Sequence, residues 1–306
     1  MKIGLIDVDG HRFPNLPLMK ISAYHKQRGD EVEMCFMDTK YDTVYMSKVF
    51  DFTPDYPYVI HADEIIRGGT GYKNLPEKNE LPDIIEYIYP DYSLYGITDT
   101  AYGFLTRGCP RRCPFCIVSK KEGHWSRTVT SLHNFWRGQK NIRLLDPNIL
   151  ACKTVCKCLL QNLADTGATV DFTQGLDARL LNVGIIKILN KIRMKTIHFA
   201  WDSEKDSMAI LCGLEMYAKT SPIKPHCRVV YVLTNFDTSF DFDLERVYTL
   251  RMMGFAPYIM VYNRQTADDR YRRLQRWVNN RFIFWKCETF VSIPPTASSE
   301  ISPGIR

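Results

Sequence analysis

Ten cysteines fall in this 306-residue chain, and three stand together in the stretch Gly108-Cys109-Pro110-Arg111-Arg112-Cys113-Pro114-Phe115-Cys116. The spacing C-x3-C-x2-C puts three thiols on one loop, where Pro110 and Pro114 each fix φ and remove an amide donor. Soft thiolates select zinc, copper(I) or iron–sulfur clusters. A structural zinc site takes four ligands, usually as two separated pairs, and no CxxC or HxxxH partner pair follows downstream. A four-iron cluster held by three cysteines keeps one iron free of a protein ligand, open to a substrate or cofactor.

The remaining cysteines read differently. On a helix Cys152 and Cys156 share a face, but Cys158 points about 120° away from Cys152, so these are expected as ordinary thiols rather than a second cluster. Cys35, Cys212, Cys227 and Cys287 are isolated and read as small packing residues.

The elements around the cysteine loop follow a regular pattern. Apolar runs at 101–106, 142–145, 169–172, 196–201, 229–234 and 258–262 read as strands. Helical stretches are expected at 129–138, 150–166, 181–191, 206–218 and 242–253. Repeated strand–helix units predict a parallel barrel or part of one, with every carboxyl end opening on one face. The first strand end leads into Cys109, and the next ones carry Asp146, then Gln174, Asp177 and Arg179, then Asp202. The first hundred residues form a smaller α/β unit, with strands near 2–7, 32–36 and 43–46 and a helix that ends at about Gly29. Gly68-Gly69-Thr70-Gly71 reads as a plain loop without a GxGxxG or Walker pattern, and 72–90 as a connector.

The cysteine spacing, with Phe115 directly before the third cysteine and a βα series around it, resembles the signature of the radical S-adenosylmethionine (radical SAM) enzymes. That resemblance covers residues 99–290 and implies an α/β fold: a partial (β/α)6 barrel preceded by a small Rossmann-like unit at 1–98, with a disordered tail at 291–306. It implies that Cys109, Cys113 and Cys116 hold a [4Fe–4S] cluster and that S-adenosylmethionine chelates the open iron. An electron would then cleave the cofactor to a radical that abstracts hydrogen from a polar substrate. Family barrels hold the cofactor with polar strand-end residues, which by position implies Asp146, Gln174, Asp177, Arg179 and Asp202; the signature's aromatic, Phe115, is implied as a cofactor-binding residue as well. A small reductant protein such as flavodoxin or ferredoxin would supply the electron. The order of parts resembles the subgroup with a cobalamin-binding domain ahead of the barrel, but no DxHxxG motif is present. The N-terminal unit is therefore expected to be a degenerate relative that binds no cobalamin.

Composition sets the outer limits. Hydrophobic residues make up 45% and charged residues 24%, which excludes collagen-like or wholly disordered chains. Forty basic and 34 acidic residues give a mild net charge of +6. No apolar run approaches the ~20 residues of a membrane helix, and no export signal is evident, so a cytoplasmic protein is expected. The stretch 268–277 is basic with interleaved aromatics, which would suit nucleic acid. Its apolar stripe of Tyr271, Leu274 and Trp277, with Asp268/Arg272 and Asp269/Arg273 four apart, fits a solvated amphipathic helix better. A non-catalytic metal-bound module on nucleic acid, with zinc or an iron–sulfur cluster, is the alternative to the enzyme reading.

Overall fold

The computed structural model describes residues 1–10, 13–72 and 81–290. The chain divides into two compact units, Met1–Asp146 and Pro147–Arg306.

The first unit is organised by four parallel strands. Ile3, Leu5 and Ile6 make β1 (Lys2–Asp7) apolar on both faces, as a central strand of a parallel sheet requires. Asn15 then caps α1 (Leu16–Gln27) by accepting from the Leu18 amide at 3.2 Å, with Pro17 in the first turn. β2 (Glu31–Met34) and β3 (Lys40–Ser47) flank β1 on either side, and β4 (His61–Gly68) closes the edge beyond β3. All three pairings are parallel. The sheet buries Ile3 and Leu5 against Leu18 and Ile21 of the helix. Tyr41, Val44 and Met46 pack with Ile6 in a second cluster.

β4 is absent from the strands expected by sequence. Its His-Ala-Asp-Glu-Ile-Ile-Arg-Gly stretch is mostly half-buried or exposed, so an edge strand here carries too little apolar patterning to stand out. Within the expected connector, the structure forms the single turn α2 (Asp83–Glu86); residues 73–80 lie outside the described residues, as does the tail at 291–306.

β5 (Thr100–Gly103) follows, then the short β6 (Thr106–Arg107), α3 (Val118–Glu122), β7 (Arg127–Thr128) and β8 (Asn141–Leu144). β5 pairs in parallel with β8, and β6 pairs antiparallel with β7. The helix expected over 129–138 does not form: only a 3-10 turn, Leu132–Asn134, interrupts an irregular stretch. The reason is tertiary. Phe135 lies flat over Gly103, at a spot that any Cβ would occupy, and Trp136 donates its indole N–H to the Gln139 carbonyl at 2.9 Å.

The second unit follows the sequence pattern closely. α4 (Cys156–Asp165), β9 (Thr169–Phe172), α5 (Val183–Leu189), β10 (Ile197–Ala200), α6 (Ser207–Thr220), β11 (Arg228–Thr234), α7 (Phe240–Met252) and β12 (Ala256–Val261) alternate along the chain. β10, β11 and β12 form a parallel sheet, and parallel bridges Thr169↔Arg193 and Leu176↔Phe199 set the β9 segment beside β10. α8 (Asp269–Asn279) buries Tyr271, Leu274, Trp277 and Val278 along one stripe and packs on β12, and α9 (Arg281–Lys286) follows it. The apolar stripe is the one read from sequence, but the ion pairs differ. Asp268 caps the helix and reaches Arg270 at 3.2 Å, while Asp269 reaches Arg272 at 3.3 Å, because the N-cap position turns Asp268 onto the first turn. Among the described residues no helix is long and apolar enough to cross a membrane.

Candidate metal centre

The cysteine loop runs from β6 to α3 and is tied at its base. Gly108 has φ +82° and packs against the Trp125 carbonyl, so a side chain there would be excluded both by conformation and by space. The Cys109 amide donates to the Gly123 carbonyl at 3.1 Å, and the Gly108 amide donates to the Glu122 carboxylate at 3.2 Å. Arg107 pairs with the same carboxylate at 3.4 Å, and Arg127 donates to the Glu122 carbonyl at 2.8 Å. The two ends of the loop are therefore clamped together by Glu122 and Gly123. At its far end the Cys116 amide donates to the Cys113 carbonyl at 3.0 Å, a tight turn that leads into α3.

All three cysteines are half-buried thiols, with Arg112, Pro114 and Ile117 exposed around them and Phe115 half-buried between the second and third. Lys121, one turn on, has its ammonium pushed below the usual range by burial, opposed by the neighbouring Glu122. Among the described residues, no three His, Cys, Asp or Glu side chains are gathered so that they could hold a metal ion. The donor set itself is three thiols and no carboxylate or imidazole, on a loop with a fixed base and an open rim. By its chemistry this donor set suits an iron–sulfur cluster with three protein ligands.

Asp146 ends the first unit directly behind this loop. It is 5% exposed and accepts from the Leu105 amide at 3.0 Å and from both the amide and the hydroxyl of Thr106, the latter at 2.6 Å. Burial pushes its carboxyl up to about 6, against the lowering effect of those donors. Both carboxylate oxygens thus hold the turn from β5 into β6, which sets where the cysteine loop starts.

The other strand-end residues lie in the second unit. Asp177 caps the turn Ala178–Leu180 and pairs with Arg179 at 2.7 Å, and Arg179 also pairs with Asp206. The guanidinium is thus bracketed by two carboxylates of its own chain. Asp202 accepts from the Leu233 amide at 3.2 Å, and burial pushes its carboxyl up to about 6 although Arg246 and Arg179 pull the other way. Gln174 is exposed in the turn after β9. Asp202 and Gln174 are the strand-end groups here that keep capacity for a polar ligand.

Two features of this unit were not visible in sequence. Arg246 and Asp243, three apart on α7, form a fully buried ion pair, and Arg246 also donates to the carbonyls of Trp201 and, at 2.8 Å, Leu233. It ties the ends of β10 and β11 together. On the less buried side of the same strands, the His198 ring stacks on Tyr231 with centroids 5.3 Å apart, and its Nδ1 lies 3.9 Å from Asp171. Burial lowers the pKa of His198, which favours the neutral imidazole. Only a helical i,i+3 acid–base spacing hinted at the first feature, and nothing local marked the second. Of the separate cysteines, Cys152 and Cys156 are buried before and at the start of α4, and Cys35, Cys227 and Cys287 are half-buried, whereas Cys158 and Cys212 are exposed, so Cys212 is not the packing residue expected from sequence.

No family model matches this chain, and no curated protein matches it. Its fold, however, is shared with a radical S-adenosylmethionine enzyme of known structure. That structure is the radical S-adenosylmethionine methyltransferase TsrM from Kitasatospora setae, with cobalamin and a [4Fe–4S] cluster bound; the two chains are 9% identical, superpose with a TM-score of 0.60, and align over 85% of this chain and 74% of the other.

Proposed function

We propose that this chain is a radical SAM enzyme in which Cys109, Cys113 and Cys116 hold a [4Fe–4S] cluster and leave one iron for S-adenosylmethionine. The observation that carries this reading is the cysteine loop: three thiols at C-x3-C-x2-C spacing, clamped at the base and open at the rim. The shared fold supports it. Cluster and cofactor, when bound, supply one-electron reductive cleavage and hydrogen abstraction from a polar substrate.

The residues of the chain do the positioning. Glu122, Gly108 and Asp146 fix the base of the loop, and Phe115, half-buried, stands directly before the third cysteine in the chain. The rim carries Arg111, Arg112 and Lys120, a positive surface that suits both an anionic cluster and an acidic reductant such as flavodoxin or ferredoxin. In this reading residues 99–290 form the radical barrel and residues 1–98 the smaller unit.

The test is anaerobic reconstitution with iron and sulfide. The expected result is a brown protein with about four iron atoms per chain, bleached by dithionite, and a colourless Cys113→Ala variant. A colourless wild-type protein carrying zinc instead would contradict the proposal and favour the non-catalytic module.

A further inference from the structure

We propose that the first unit carries a binding site for a small organic cation, an amine or amidine with an apolar body, at the carboxyl ends of β1 and β2. This inference is independent of the cysteine loop. A cavity of about 320 Å³ opens there, lined by Asp7 and Ile6 of β1, Met34 and Cys35 at the end of β2, and the rings of Tyr56 and Tyr95. Its size falls in the lower range of small-molecule sites.

Asp7 is the one charged residue of the lining. Its Oδ2 accepts from the Tyr95 hydroxyl at 2.9 Å, but its Oδ1 is buried with no hydrogen-bond partner. A buried carboxylate oxygen left without a donor is costly, so this position calls for a donor from outside the chain. A cation supplies both the donor and the compensating charge, whereas an anion would be repelled by the same carboxylate. Tyr56 and Tyr95 add aromatic rings whose faces attract a cation, and Ile6 and Met34 supply an apolar wall for its body. The sheet places the cavity where a ligand is expected. In the order β2-β1-β3-β4 the chain reverses between β1 and β3, and the cavity lies on the β2 side of β1, outside the carboxyl ends of the strands, the end at which open parallel sheets take ligands.

Three probes of one shape test this on the full chain: benzamidine, the neutral benzamide and the anionic benzoate, followed by calorimetry and ligand-observed NMR. Benzamidine is expected to bind at least about tenfold more tightly than benzamide, with benzoate not detected. Asp7→Asn should bring benzamidine down to the level of benzamide. Benzamidine should also slow alkylation of Cys35 by N-ethylmaleimide, read on the Cys35 peptide by mass spectrometry. If Asp7→Asn does not fold, the ratio among the probes and the protection of Cys35 in the wild type decide. Equal binding of the three probes, no benzamidine binding at millimolar concentration, unchanged binding to a folded Asp7→Asn protein, or unprotected Cys35 would each overturn the proposal; a water molecule would then be the partner of Oδ1.

Discussion

The cysteine loop and the strand ends of the second unit hold their polar groups in opposite ways. In the loop, backbone amides and Glu122 secure the base, and the three thiols stand half-buried at an open rim. At the strand ends, charged groups are turned onto one another: Arg179 between Asp177 and Asp206, and Arg246 with Asp243 in a pair that solvent does not reach. Groups of the first kind stand half-buried where something from outside the chain can approach them. Groups of the second kind build the scaffold, and a ligand would have to displace a partner to reach them. A polar residue after a strand is therefore weak evidence for a binding role until its own hydrogen bonds are counted.

The largest effect expected from this contrast is on metal content. Alanine at Cys109, Cys113 or Cys116 should remove nearly all reconstituted iron, measured by colorimetric assay, while the unfolding midpoint of the metal-free chain moves little. A large loss of stability in the metal-free chain would show that the thiols belong to the scaffold and would break the comparison. Next comes Arg246→Ala, which strands the buried Asp243 carboxylate and should destabilise the chain by about 3–5 kcal/mol in urea unfolding. A cost near zero would mean that the pair is not a scaffold element.

Asp146 gives a smaller effect with a defined sign. Its carboxyl titrates near 6 in the folded chain and near the ordinary 3.8 when unfolded, so the folded state binds the proton more tightly. Its contribution is most favourable below about pH 4 and is lost as pH rises towards 6. Compared with Asp146→Asn at each pH, the wild type should therefore lose stability on the order of 2 kcal/mol between pH 4 and 6.5. A difference that is flat with pH, or that rises, would contradict the assignment. The smallest effect is Asp268→Ala, which removes the cap of α8 and should cost about 1 kcal/mol in the same assay.

How much could be read from the sequence depended on how local each cause was. The cysteine loop was fully legible as a donor set, because its three residues fall within eight positions and their chemistry needs no tertiary context. β9 falls at the residues expected, and the buried stripe of α8 follows directly from residue period. The stretch 129–138 misled because the packing of Phe135 on Gly103 outweighs helix propensity, and that contact joins residues far apart in sequence. β4 was hidden by its edge position. At the candidate site, the strand-end acids were found as residue types, but the partners that engage Asp146, Asp177 and Arg179 come from the fold. Nothing in the sequence around Asp7 marked the unpartnered oxygen or the cavity beside it.

The most direct test of the central reading is product analysis under strict anaerobiosis. Reconstituted wild-type protein is mixed with dithionite and S-adenosylmethionine, and 5′-deoxyadenosine is followed by mass-resolved chromatography, with Cys113→Ala alongside. The account predicts 5′-deoxyadenosine from the wild type and none above background from the variant. Equal product from both proteins, or none from a wild type that carries a full complement of iron, would contradict it.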